Sequence, residues 1–322
     1  MAKSRKLADL QQLLDRVQAT LPADAAVADL RRAIASKQAV AVARGAKLVA
    51  KHNLRQLAPA LMAAFDPFLI DPIARDPNCL AKASIADALY RMDCREIELF
   101  LSGIRHFQLE PVFGGRQDTA PKLRSICALG LVRANYEDVF VELADLLADP
   151  EAPARTAAAQ AIAYSENRER GVPLLRLRIR VGDTPTVLAD CFTALLSLAP
   201  HDSLSLVAGH LDASEPEVRE AAALVLGESR LPEAFELLRA WWERTFEPNL
   251  RSTALLAISM LRSKASVDFL LAFLAESAES ELRGAAAALE LLRPNAELWQ
   301  QICTLLAARG LHPDTLSERH RR

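Results

Sequence analysis

Apolar positions along this chain recur at helical spacing, within units of about 32 residues. Most units are marked by a proline, any residue, an apolar residue and an arginine, as in Pro121-Lys-Leu-Arg124 and Pro216-Glu-Val-Arg219. Leu188 occupies the arginine position of one unit, and Ser280 replaces the proline of another. The arginine position falls at residues 124, 155, 188, 219, 251 and 283, so the intervals are 31, 33, 31, 32 and 32. That length accommodates two helices of about three turns and their connections. The sequence therefore predicts a repeated antiparallel helix pair.

The second helix of each pair is predicted to begin at the marker, where proline suits the first helical turn. Apolar or small residues follow the marker's apolar residue at +4, +7 and +8, which is one face of a helix. The +4 residue is small in four units: Cys127, Cys191, Ala222 and Ala254. Because small side chains let helices approach closely, these second helices are predicted to line the inner seam of the stack.

The first helix of each pair is also amphipathic. These helices are predicted over residues 136–148, 168–181, 203–212, 232–245, 265–276 and 296–308. Stacking of successive pairs would bury a continuous core.

The Asp-Pro…Val-Arg-x-x-Ala-x-x-Ala-Leu character of residues 149–162 and 212–226 resembles the HEAT family. It resembles in particular the short bacterial type related to phycobilisome-lyase repeats. The resemblance covers residues 90–308 well and 38–90 loosely. It implies an all-α fold, a right-handed α-solenoid of HEAT-type antiparallel helix pairs. We expect a helical cap at 1–37, the solenoid at 38–308 and a flexible tail at 309–322.

In the HEAT family an aspartate and an arginine form a ladder between successive repeats. Three acid–base pairs with a spacing of six fit this role here: Asp76–Lys82, Asp118–Arg124 and Asp149–Arg155. Three arginines lack such an aspartate and are candidates to face a ligand: Arg219, Arg251 and Arg283.

A basic stripe is the first candidate binding surface. The net charge is −2, but residues 1–55 hold eleven Lys/Arg and four Asp, or +7, which leaves −9 for the rest. Arg44, Lys47, Lys51 and Arg55 have spacings of 3, 4 and 4, which predict one helix face. This face could bind phosphates, nucleic acid or an acidic protein, or could simply be solvated. No aromatic residue precedes Phe65, which disfavours stacking on bases.

Residues 104–121 are the second candidate, as a long break inside the repeat register. Gly114-Gly115 permits a turn with positive φ, and the loop is more apolar than solvent exposure favours. Its candidate contact residues are His106, Glu110, Phe113 and Arg116. The alternative is an insertion that packs back on the adjacent repeat.

Two further features carry weaker signals. Trp242 follows Trp241 on one predicted helix, so both are not expected to be fully buried, and an exposed Trp242 would be a contact candidate. The alternative for Trp242 is packing at the edge of the core. Three Asp-Pro steps begin at Asp66, Asp71 and Asp76, but they lack calcium-loop spacing and read as helix starts.

Catalytic and cofactor motifs are not evident. HEAT-related iron hydroxylases use His-Glu dipeptides, and none of the six histidines precedes a glutamate. We therefore expect no cofactor and no metal. Five scattered cysteines, a start without an apolar signal region and no long apolar run indicate a cytoplasmic protein without a membrane span.

The sequence thus predicts a non-catalytic scaffold that binds a protein or peptide on the concave face of its solenoid. Two alternatives stay open: a maturation factor resembling bilin lyases, and a nucleic-acid binder that uses the basic N-terminal helices. A lyase predicts a conspicuous apolar–polar pocket, whereas a nucleic-acid binder predicts free arginines that extend the basic stripe.

Overall fold

The computed structural model describes residues 2–20 and 23–311. Helices dominate these residues, with one two-stranded hairpin between them, so the all-α prediction is confirmed. The chain divides into two compact units, residues 1–167 and residues 168–322. The predicted division into cap, solenoid and tail stays a prediction.

The N-terminal unit contains ten helices and the hairpin within its described residues. Their bounds are α1 Ala2–Thr20, α2 Asp24–Ile34, α3 Ala39–Lys51, α4 Ala58–Phe65, α5 Pro72–Arg75, α6 Leu80–Arg91, α7 Ile97–Ile104, β1 Leu109–Val112, β2 Gly115–Asp118, α8 Pro121–Arg133, α9 Val139–Leu147 and α10 Ala152–Tyr164. Helices α3, α6, α8 and α10 pack against one another in that order, while α1 and α2 form a further pair against α3.

The C-terminal unit repeats the same arrangement. Its bounds are α11 Arg168–Val181, α12 Pro185–Leu198, α13 Pro200–Ala208, α14 Pro216–Ser229, α15 Ala234–Arg244, α16 Pro248–Leu261, α17 Lys264–Glu276, α18 Glu279–Leu282, α19 Ala286–Glu290 and α20 Ala296–Ala308. The second helices α12, α14, α16 and α19 pack in succession, and α11, α13 and α15 each pack on the helix that follows. The predicted first helices are therefore found within a few residues of their expected bounds.

Small residues make the seam between second helices close. Cys191, Ala222 and Ala254 are completely buried there, as their +4 position predicts. At Gly227 on α14, a Cβ atom would lie 2.4 Å from the carbonyl oxygen of Ala257 on α16. No side chain fits at that distance, so glycine sets how closely these two helices pack.

The repeat marker at 280–283 departs from the expected helix. The chain forms α18, a 3₁₀ turn at Arg283–Ala285 and then α19 instead of one continuous second helix. This marker lacks the proline of the others, and Gly284 adds a poor helix former just after it.

The predicted tail is described only at residues 309–311. Arg309 donates hydrogen bonds to the backbone carbonyl oxygens of Leu274 and Ser277, so its side chain is tied to the end of α17. Residues 312–322 lie outside the described residues.

Candidate functional site

A buried charge ladder joins successive repeats in the N-terminal unit. Arg124 is fully buried, with Nη1 2.7 Å from Asp118 Oδ2 and Nε 2.8 Å from Asp149 Oδ2 in the next repeat. Asp76 and Lys82 are also completely buried and lie 2.9 Å apart. The predicted structural role is confirmed for these groups, which are therefore not available to a ligand.

In the C-terminal unit, glutamates pair with the arginines at the repeat position. Arg219 Nη1 lies 3.3 Å from Glu247 Oε1, and Arg251 Nη2 lies 3.2 Å from Glu281 Oε1. The expectation that these arginines are free was wrong, because it considered only an aspartate six residues before the arginine. The partner stands instead at the beginning of the second helix of the following pair. The side chain of Arg283 lies outside the described part of the chain.

The basic stripe does not lie on one helix. Helix α3 ends at Lys51, and Arg55 belongs to a separate 3₁₀ turn at 55–57, so the predicted common face was wrong for Arg55. Arg44 is turned toward α1, where Nη2 donates to Asp15 Oδ1 at 2.5 Å and to Gln18 Oε1 at 3.2 Å. Lys47, Lys51 and Arg55 are exposed and form no ion pair with any described residue. Three of the four predicted residues of the basic stripe are therefore exposed cations without an ion-pair partner among the described residues.

Residues 109–118 form an antiparallel β-hairpin. The register pairs Leu109 with Asp118 and Val112 with Gly115, which leaves Phe113 and Gly114 as the turn. Gly114 has a φ of 88°, so the predicted positive-φ turn is confirmed at that residue.

Polar groups hold the base of the hairpin against the unit. Glu110 Oε1 accepts hydrogen bonds from Asn78 N at 2.6 Å, Gln108 Nε2 at 2.7 Å and Thr119 Oγ1 at 2.8 Å. Burial alone would raise the pKa of Glu110, but these hydrogen bonds outweigh it and bring the pKa below its usual value. Asp118 Oδ1 accepts from Gln108 N at 3.0 Å, so the ladder and the hairpin share a residue.

The four predicted hairpin residues divide into two groups. His106 and Glu110 belong to the base: His106 Nε2 lies 3.3 Å from Gln108 Oε1, and burial lowers the pKa of His106. Phe113 and Arg116 face solvent, and Phe113 has a relative exposure of 108 %. The base of this segment therefore packs against the unit, whereas its tip is exposed to solvent.

Trp242 lies at the edge of the core. Trp241 beside it is 2 % exposed, and the 100° step between adjacent helical residues leaves Trp242 only partly buried. The Trp242 ring makes edge contacts with Phe269 and Phe273 at centroid distances of 5.3 and 5.6 Å, and Arg251 lies 4.3 Å above it. The exposed aromatic residue here is Phe246, which lies beyond the end of α15 with 86 % exposure.

A groove on the C-terminal unit was not predicted. It has a volume of about 850 Å³ and is lined mainly by residues of α12, α14 and α16. Its apolar floor consists of Ala189, Ala221, Leu224, Leu256 and Met260. Leu224 and Leu256 each stand six residues after the apolar residue of their repeat marker, outside the buried +4, +7 and +8 positions. A large apolar residue at +6 was the feature of the sequence that could have indicated an apolar surface here.

The described residues contain no group of three or more His, Cys, Asp or Glu side chains arranged to hold a metal ion. All five cysteines are free. Burial raises the pKa of the Cys79 thiol to about 12 and raises that of Cys127 well above its usual value. Neither of these two thiols is therefore suited to act as a nucleophile.

Comparison with known families identifies HEAT repeats over residues 204–290. The match includes α14, α15 and α16 and confirms the resemblance drawn from the repeat markers. One similar solved structure is the complex of CpcE and CpcF of phycocyanin lyase from Nostoc. It shares 19 % identity and a TM-score of 0.38 over 70 % of this chain and 89 % of that chain.

A search among curated proteins gives no match. Within the described residues, every helix is too short or too polar to cross a membrane.

Proposed function

We propose that this chain is a non-catalytic, cytoplasmic scaffold of HEAT-type repeats that binds a protein partner through the tip of its β-hairpin. The observation that carries the proposal is the fully exposed ring of Phe113. A large aromatic side chain that is exposed to water gains free energy when a partner buries it, and aromatic residues dominate the energetics of protein interfaces.

The hairpin is suited to this role because its base is already ordered. Glu110, Gln108 and Thr119 are connected by hydrogen bonds before any partner arrives. Binding at the tip therefore costs little backbone entropy, which favours affinity. Arg116 adds an exposed cation on the second strand of the same hairpin, so the partner surface should offer an apolar pocket and an acidic region.

The two alternatives have weaker support. The groove of the C-terminal unit is the apolar–polar pocket that a bilin-lyase-like factor requires, but four of its lining residues are acidic and two are basic. A bilin carries two propionate carboxylates, so that balance disfavours it. A nucleic-acid binder would require free arginines, whereas Arg219 and Arg251 pair with glutamates and Arg44 pairs with Asp15.

The test places a photo-crosslinking phenylalanine analogue at Phe113 in the full chain, in lysate of the source organism. The matched control carries the same analogue at Val141, which is 59 % exposed on α9 of the same unit. The cross-linked protein is then purified, and its affinity is measured for wild type, Phe113→Ala and Val141→Ala.

We expect one partner to cross-link at 113 and not at 141. Phe113→Ala should weaken its binding by about 2 kcal/mol, or roughly thirtyfold, while Val141→Ala leaves it unchanged. Equal affinities for wild type and Phe113→Ala would contradict the proposed contact. If binding is lost selectively in the double variant Lys47→Glu with Lys51→Glu, the partner contact would instead be assigned to the basic stripe.

A further inference from the structure

We propose that the groove on α12, α14 and α16 binds a cationic amphipathic peptide segment of a partner protein. This site is separate from the hairpin and does not depend on it. The volume of about 850 Å³ lies within the range of ligand pockets, and the floor is apolar.

The acidic residues of the groove give it a direction. Glu217 and Glu220 stand in the first turns of α14, with Asp190 on α12 beside them in the lining. Glu228 stands in the last turn of α14. An apolar floor between carboxylates fits a segment that presents apolar side chains on one face and lysine or arginine at its margins.

The glutamates of the groove lack partners within the described part of the chain. Glu217, Glu220 and Glu228 form no ion pair with any described residue. Other acidic residues of this unit do form ion pairs: Asp212 with Arg244 at 3.0 Å, Glu243 with Arg239 at 3.0 Å and Glu247 with Arg219 at 3.3 Å. The negative charge of these three glutamates is thus available to an incoming cation.

Two arginines stand at the opposite end of the groove. Arg230 and Arg262 follow α14 and α16 in the left-handed conformation, both with a φ of 53°, where glycine or asparagine is usual. This repeated backbone geometry places both side chains at equivalent positions. Glu228 offsets one of these two arginines, whereas the lining at the starts of the helices is acidic without an arginine. The bound segment should therefore place most of its cations toward the starts of the helices.

The experiment uses the full chain and a fluorescein-labelled helical peptide of Leu and Lys. Its control peptide carries Glu in place of every Lys. Binding is measured by fluorescence anisotropy for wild type and for the double variant Glu217→Lys with Glu220→Lys. The matched control is Glu236→Lys with Glu276→Lys, which makes the same charge change at exposed positions outside the groove.

We expect the Lys peptide to bind wild type and the Glu peptide to bind much more weakly. The groove variant should lose about tenfold or more in affinity, and the control variant should lose little. Leu224→Ser should also weaken binding without a change in charge. The double variant Glu217→Gln with Glu220→Gln should lose an intermediate amount of affinity, because it removes the same negative charges without adding positive ones. Circular dichroism verifies that each variant keeps its helical fold.

Four outcomes would overturn the assignment, and three of them come from the anisotropy measurements. The Lys peptide fails to bind wild type, or both charge variants weaken it equally, or the Glu peptide binds as well. Self-association of the protein that Leu224→Ser abolishes would also overturn it, because the occupant would then be a second copy. None of these outcomes affects cross-linking at Phe113, so failure here and failure of the hairpin contact remain distinguishable.

Discussion

The two units place an arginine at the same repeat position but satisfy it differently. In the N-terminal unit, Arg124 is completely buried between two aspartates, one just before the second helix of its own pair and one in the next repeat. In the C-terminal unit, the side chains of Arg219 and Arg251 are 20 % and 24 % exposed, and each reaches a glutamate of the next repeat. At this repeat position the arginine held by aspartates is buried, and the arginines paired with glutamates lie nearer the surface.

This difference has energetic consequences. A buried ion cannot lose its partner without leaving an uncompensated charge, so such a group constrains the fold strongly. A partly exposed pair can be replaced by water at little cost. We therefore expect substitutions at the arginine position to distinguish the two units.

The largest effect is expected for Arg124→Met. Loss of the guanidinium leaves Asp118 and Asp149 buried without a counter-charge, so the free energy of unfolding should fall by about 3–5 kcal/mol. The matched control is Arg219→Met, which removes one partly exposed ion pair and should cost about 1 kcal/mol or less. Urea titration followed by circular dichroism measures both. Equal decreases in unfolding free energy for the two variants would show that burial of the arginine does not distinguish the two units.

A smaller effect is expected at the helix seam of the C-terminal unit. Gly227→Ala places a methyl group against the backbone of Ala257 and should destabilise the protein by about 1–3 kcal/mol. Gly209→Ala is its control, because a Cβ there meets nothing within 4 Å. That control should be neutral or stabilising by up to about 1 kcal/mol. Similar melting temperatures for the two variants would mean that the seam tolerates expansion.

The smallest effect is the acid sensitivity of the N-terminal ladder. Burial raises the pKa of Asp118, but hydrogen bonds from Ala120 and Gln108 and the contact with Arg124 outweigh it, and the pKa lies below the usual 3.8. A lowered folded-state pKa contributes stability above pH 3.8 that is lost as the pH falls through the folded-state value. Asp118→Asn should therefore flatten the dependence of unfolding free energy on pH below that point. An unchanged slope would assign the acid sensitivity to other carboxylates.

Much of the helical architecture follows from local sequence. The spacing of markers near 32 residues, proline in the first turn and the small residue at +4 determine helix pairs with a close seam. These are short-range properties, since a helix face is defined by residues three and four apart. The Asp118–Arg124 pair was expected from the resemblance to the HEAT family, in which an aspartate and an arginine form such a ladder.

Contacts between distant residues were decided only by the tertiary structure. Arg44 has the spacing of a solvated stripe, yet it meets Asp15 from another helix. Arg219 meets Glu247, which is 28 residues away, and no local pattern marks that partner.

The candidate sites divide in the same way. The sequence by itself determined that Gly114 would permit a turn and that Phe113 was too apolar for an ordinary loop. Only the tertiary structure decided that Glu110 would anchor the hairpin to Asn78 and leave Phe113 in solvent. The groove required three helices to lie side by side. Its floor combines residues from successive repeats, and their proximity depends on packing rather than on any one segment.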